Sequence, residues 1–128
     1  MTSWVTTGVG AITLFVDDLA ATKSFYADVF ELPVVHEDDD SVVFDFGNTL
    51  VNLLTTPAAS ELIDPATPGG HGAGPRLQLT LTVADVDAVA AELTARGVEL
   101  LNGPTDRPWG IRTASFRDPA GHIWEIAQ

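Results

Sequence analysis

The sequence predicts an α+β fold built as two tandem βαβββ modules that form a curled mixed sheet. Three observations carry this: an internal repeat, a period of two that gives way to helical spacing in each copy, and a proline- and glycine-rich stretch between the copies. Thr13-Leu14-Phe15-Val16-Asp17-Asp18-Leu19 recurs 67 residues later as Thr80-Leu81-Thr82-Val83-Ala84-Asp85-Val86, an offset close to half of the 128-residue chain. The first, second, fourth and sixth positions are identical.

Each copy reads as a strand running into a helix. In the second, Leu77, Leu79, Leu81 and Val83 alternate with Gln78, Thr80 and Thr82, the pattern of a strand with unlike faces. Asp85 then caps a helix whose Val86, Val89, Ala90 and Leu93 fall at helical spacing; Arg96 stands in its last turn and Gly97 is the left-handed stop. In the first copy Asp17 or Asp18 caps a helix with the apolar stripe Leu19, Phe25, Tyr26, Val29 and Phe30, which ends before Pro33. Three short strands follow each helix: residues 33–36, 42–46 and 50–54, then 98–101, 111–117 and 123–126. Gly47-Asn48 supplies a tight hairpin and Asp118-Pro119-Ala120-Gly121 the last turn. Residues 10–54 and 76–128 thus form the two modules of one domain spanning 1–128. Residues 55–75, with four of the eight prolines and four of the eleven glycines, read as a flexible linker.

Composition narrows the function. A chain of this length, 45% hydrophobic, supports one core and neither disorder nor a second independent domain. The absence of cysteine excludes a disulfide framework, a thiolate nucleophile and Cys-ligated zinc or iron–sulfur sites. No run reaches the roughly 18 apolar residues of a membrane span, and the N-terminal MTSWVTTGVG lacks a charged leader followed by an apolar run, so a cytoplasmic protein is expected. Six basic against 18 acidic side chains give a net charge of −12, which repels nucleic acid and anionic membranes and attracts a cationic ligand. The imbalance is uneven. Residues 1–64 hold 11 acids and one base, and residues 65–128 hold seven acids and five arginines. The run Glu37-Asp38-Asp39-Asp40 reads as a solvated loop tip. GGHGAG lacks the Lys-Ser/Thr of a phosphate loop, and Asp45-Phe46-Gly47 sits at a hairpin in a chain too short to be a kinase.

Two βαβββ modules, the Asp-Leu helix entry with the following Phe25-Tyr26, and the segment DRPWGIRTASFRDPAGHIWEIAQ together resemble the vicinal oxygen chelate superfamily. That superfamily joins glyoxalase I, extradiol dioxygenases, fosfomycin-resistance enzymes and bleomycin-resistance proteins. The resemblance implies that each module curls into half of a cup that binds a small molecule, often over a divalent metal. It also implies a homodimer. The family's metal positions fall on Ala11, Asn52, Gln78 and Glu125. Alanine has no donor, and two neutral amides with one carboxylate suit at most a weakly held hard cation such as Mg²⁺. No cofactor is therefore expected.

The same residues are read on their own terms. Gln78 lies on the polar face of its strand with Thr80 and Thr82, either lining a cavity or facing water. Asn52, in Leu50-Val51-Asn52-Leu53-Leu54, is a carboxamide among apolar neighbours and points to a pocket lining. Glu125 faces away from Trp124 and Ile126, toward either cup interior or water, and is the one candidate for a general base or strong metal ligand. Trp109, between Pro108 and Gly110, is a candidate ligand lid. Arg112 shares a strand face with Ala114 and Phe116, where it either meets a ligand anion or pairs with a local acid, and Phe116 counts with it as ligand-binding. His36, His71 and His122 show no metal-ligand spacing and read as loop residues, with His36 retaining a claim as a base at the pocket rim. Two functions compete: a binding or antibiotic-resistance protein that holds a small cationic or aromatic molecule without a tightly bound metal, and a metal-dependent lyase, isomerase or dioxygenase using Glu125.

Overall fold

The structure is a computed structural model that describes residues 4, 5 and 8–128, with backbone alone at His71. The expectations for MTSWVTTGVG and for the His71 side chain therefore lie partly or wholly outside the described residues. The order is β1 Ala11–Val16, α1 Leu19–Phe30, β2 Val34–Glu37, β3 Ser41–Asp45, β4 Leu50–Thr55, α2 Thr56–Ile63, a 3-10 turn His71–Ala73, β5 Gln78–Thr82, α3 Val86–Ala95, β6 Leu100–Asp106, β7 Arg112–Arg117 and β8 Ile123–Ala127. The chain divides into two compact units, 1–70 and 71–128. Each holds one four-stranded sheet, ordered β1-β4-β3-β2 in the first and β5-β8-β7-β6 in the second. In both, the first strand runs parallel to the last and the remaining pairs are antiparallel, so the predicted βαβββ module is realised twice.

In the first unit Asp18 caps α1, its Oδ1 accepting from the Ala21 N–H at 3.0 Å. Asp17 instead accepts from the Thr56 hydroxyl at 2.7 Å. The helix lays Tyr26 on the sheet, with its ring centroid 5.7 Å from Phe44, while Phe30 meets Phe46 at 5.3 Å. Leu14, Val16, Val42, Phe44, Val51 and Leu53 are all buried, and the strand register puts them on this one face. The Gly47 turn forms as expected: Asp45 Oδ1 accepts from the Gly47 N–H at 2.7 Å, and Gly47 has φ 96°.

The second unit repeats the plan. Asp85 Oδ1 accepts from the Ala88 N–H at 3.1 Å, and Gly97, with φ 85°, ends α3. Val86, Ala90 and Leu93 of α3 and Ala114, Phe116, Trp124 and Ile126 of the sheet are buried. Asp118 builds the last turn, its Oδ1 accepting from the N–H groups of Ala120 and His122, both at 2.9 Å.

Two expectations need correction. The stretch 55–75 is not all linker, because Thr56–Ile63 is a helix. Pro57 lies in its first turn, where a missing N–H is harmless, and Ala58, Ala59, Glu61 and Leu62 favour helix, so proline and glycine counts misjudge the segment. The strand expected at 98–101 is displaced and longer, covering Leu100–Asp106 through Gly103-Pro104. A proline is tolerated there because β6 is an edge strand whose register shifts around those residues.

Candidate functional site

Alternation gives each sheet one face for its helix and one open to other uses. In the second unit Arg112 of β7 bonds Asp87 of α3, which identifies the helix face as that of Arg112, Ala114, Phe116, Trp124 and Ile126. The opposite face carries Gln78, Thr80 and Thr82 on β5, Glu125 on β8, and Thr113, Ser115 and Arg117 on β7. In the first unit the face opposite α1 carries Ala11, Thr13 and Phe15, Leu50, Asn52 and Leu54, and Ser41, Val43 and Asp45.

Glu125 stands directly across from Thr80 on one side and Ser115 on the other, and its Oε1 accepts from the Thr80 hydroxyl at 3.1 Å. Gln78 is exposed on the same face, one alternate position along β5 from Thr80. In the other unit Asn52 stands between Thr13 and Val43. Its Oδ1 is buried without a hydrogen-bond partner among the described residues. A buried acceptor left unpaired costs about 1–3 kcal/mol, which a bonding partner at this oxygen would offset. Ala11 is exposed and offers no donor atom.

Trp109 lies in the loop joining β6 and β7 and is 69% exposed. The turn is shaped by the Gly110 N–H bonding to the Arg107 carbonyl at 3.0 Å, with Gly110 at φ 94°. Arg112 is committed elsewhere. Its guanidinium bonds Asp87 at 2.8 and 2.9 Å and Asp106 at 3.0 Å, matching the local ion-pair alternative. Those bonds hold the Asp87 carboxyl below the usual carboxylate range and raise Arg112 further. Phe116 is 1% exposed on the helix face, where it belongs to the core. Arg112 and Phe116 do share a strand face, as their spacing implies, and that face turns toward α3, where Asp87 meets the guanidinium.

Sequence reasoning overlooked Arg107. Its Nε–H donates to Thr113 Oγ at 2.9 Å and its terminal N–H to Asn102 Oδ1 at 3.1 Å. Thr113 is on the open face, so the guanidinium is brought there. The signal available in the sequence was a second arginine at the far side of the Pro-Trp-Gly turn; its direction depends on the turn's backbone.

His36 and His122 are bound to loop carboxylates. His36 Nε2 lies 3.0 Å from Asp38, and His122 Nδ1 lies 2.9 Å from Asp118. Asp38 also accepts from the N–H groups of Asp40 and Ser41 and from the Ser41 hydroxyl, and these bonds, led by His36, lower its pKa to about 2. The acidic run is thus a locally hydrogen-bonded turn at the end of β2. Among the described residues no three His, Asp or Glu side chains gather as a metal-binding group. Of the positions that the resemblance implies for a metal, Ala11 and Asn52 in the first unit and Gln78 and Glu125 in the second, only Glu125 is a carboxylate, and methyl and amide groups do not suit Zn²⁺, Ni²⁺ or Fe²⁺.

Two βαβββ modules with helix-covered and open sheet faces define a glyoxalase-type fold. The chain belongs to the Glyoxalase/Bleomycin resistance protein/Dioxygenase superfamily, whose family model matches residues 8–126. It is 33% identical over 119 residues to the uncharacterized protein YraH of Bacillus subtilis (strain 168), covering 90% of this chain and 93% of that one. The crystal structure of lactoylglutathione lyase from Agrobacterium tumefaciens is similar, with a TM-score of 0.76 at 26% identity, over 94% of this chain and 92% of that one. A glyoxalase/bleomycin resistance protein/dioxygenase from Nocardioides shares the fold with a TM-score of 0.84 at 21% identity, over 93% and 81% of the respective chains. Among the described residues no helix is long and apolar enough to cross a membrane.

Proposed function

We propose that this protein binds a small organic molecule against an open sheet face, without a tightly held catalytic metal. The observation that carries the reading is the buried, unpartnered Oδ1 of Asn52, an acceptor that a ligand N–H or O–H would satisfy. Within the second unit, Gln78, Thr80 and Glu125 offer a separate set of polar groups, and the exposed Trp109 offers an aromatic plate for a planar ligand. The net charge of −12 concentrates cationic or zwitterionic molecules and disfavours nucleic acid and anionic membranes. The reading includes a cytoplasmic homodimer. Resistance by sequestration of an aromatic drug is the form it takes if the ligand is toxic.

The likeness to lactoylglutathione lyase favours a second reading, an enzyme in which Glu125 is a general base. Metal analysis together with a thermal-shift screen of aromatic and cationic metabolites separates the two. Binding predicts a compound that raises Tm in the wild type and loses that effect in Asn52→Leu, with metal far below one ion per chain; Trp109→Ala tests the second unit separately. Near-stoichiometric metal lost in Glu125→Ala would overturn the binding reading. Turnover that vanishes in Glu125→Gln while ligand affinity persists would favour the enzyme.

A further inference from the structure

Arg107 and Arg112 flank the same Pro-Trp-Gly turn, yet their surroundings are opposite. Arg112 is neutralised by Asp87 and Asp106 on the helix side of the sheet. Arg107 is held only by neutral oxygens, those of Thr113 and Asn102, and has no ion pair among the described residues. In a chain with 18 acidic side chains, an arginine steadied by a hydroxyl and a carboxamide is conspicuous. Those two bonds fix the orientation of the planar fork while leaving its charge uncompensated, the condition under which a guanidinium takes a carboxylate or phosphate in two parallel bonds.

The setting supports this. Thr113 is on the open face with Ser115 and Arg117, and Asn102 is registered beside Ser115, so Arg107 sits at the end of a polar strip that continues through Glu125 and Thr80 to Gln78. Arg107 is half-buried, which reduces the competition from water for an anion bound there. Arg117, exposed on the same face, also has no ion pair among the described residues and adds positive potential. Because the whole chain repels anions at long range, retention of one depends on such a short-range contact.

We propose that Arg107 anchors an anionic group of the ligand, a carboxylate or a phosphate, on the open face of the second module. This rests on the reading of that face as the ligand-binding one, and it adds the chemical class of one end of the ligand. Proton–nitrogen NMR of the arginine Nε–H groups in the full-length protein tests it directly. Sodium acetate and inorganic phosphate would be titrated separately at an ionic strength held constant with chloride, with Arg107→Lys assigning the resonance.

The expected result is a saturable shift of the Arg107 Nε–H with Arg112 unmoved. In Arg107→Gln the accompanying shifts of the Thr113 and Asn102 backbone amides should be lost. Saturation by acetate assigns a carboxylate and saturation by phosphate alone assigns a phosphate. A common, non-saturating drift of Arg76, Arg107 and Arg117, or no shift at all, would overturn the anchor. The wild-type titration stands even if Arg107→Gln proves unstable. Saturation at Arg107 with no organic ligand found by thermal shift keeps the anchor and removes the binding reading; an organic ligand with no anion response removes the anchor alone.

Discussion

The two modules match strand for strand in order and direction, yet their open faces carry different chemistry. The first presents Phe15, Val43, Leu50 and Leu54 around Asn52, with Thr13, Ser41 and Asp45 as its other polar side chains. The second presents hydroxyls, an amide, Glu125 and the guanidinium of Arg107. On the helix faces the difference disappears, since both are apolar and closed by a helix with an aspartate cap. Packing demands the same of both copies, so the helix faces stay alike. Nothing in the fold constrains the open faces to match, which leaves them free to carry different side chains.

The comparison is broken most forcefully at the edge strands. Both β2 and β6 are bulged, but only β6 depends on a glycine pressed against its neighbour. A Cβ on Gly103 would lie 2.4 Å from the Thr113 carbonyl oxygen and 2.7 Å from the Ala114 Cα, at φ 84°. Gly103→Ala should lower stability by more than about 3 kcal/mol in urea unfolding, whereas Val35→Ala, at the exposed bulge of β2, should change it by less than about 0.5 kcal/mol. Equal effects would show that the edge of the second module yields as readily as the first.

Next in size is the contrast between the two open faces. Asn52→Leu removes a buried unpaired acceptor and should raise the stability of the ligand-free protein by about 1 kcal/mol. Glu125→Gln, at a half-buried site bonded to Thr80, should stay within about 0.5 kcal/mol of wild type. Destabilisation by Asn52→Leu in the same unfolding measurement would give the carboxamide a structural role.

The helix caps sharpen the likeness instead. Asp18→Ala and Asp85→Ala should each cost about 1 kcal/mol, since each aspartate accepts one N–H at its helix start. Unequal losses would mean that the copies are less equivalent than their backbones.

The smallest effect is the pH dependence that Asp38 gives the first module. Folding lowers the Asp38 pKa from 3.8 to about 2, so in that range the unfolded chain binds more protons than the folded one. The stabilisation is complete above pH 3.8 and is lost as pH falls through about 2. Acid unfolding of Asp38→Asn compared with wild type should therefore show a shallower fall in stability between those values. Parallel curves would remove Asp38 from the account.

Much of the fold was legible because alternation and helical spacing are local. Leu77 to Val83 and the Asp85 cap announced β5 and α3 without any long-range information. Thr56–Ile63 was hidden by the glycines and prolines that follow it, and β6 by Gly103-Pro104, which interrupts a central strand but not an edge. The candidate site was legible only in part. Asn52 stood out as polar among apolar residues, and spacing put Arg112 with Phe116 on one face. Spacing could not say that α3 covers that face, because this depends on Asp87 meeting Arg112 across the packed unit. The same missing information concealed Arg107.

The alternation along β7 and β8 also bears on how such a protein can change. Residues 114, 116, 124 and 126 hold the second unit together, while residues 117 and 125 face the other way and lie outside the buried set. Selection can rewrite the second set one residue at a time while leaving the first untouched, so new ligand preferences need not pass through unfolded ancestors. A library restricted to these unburied open-face positions would accordingly retain folded members in high proportion.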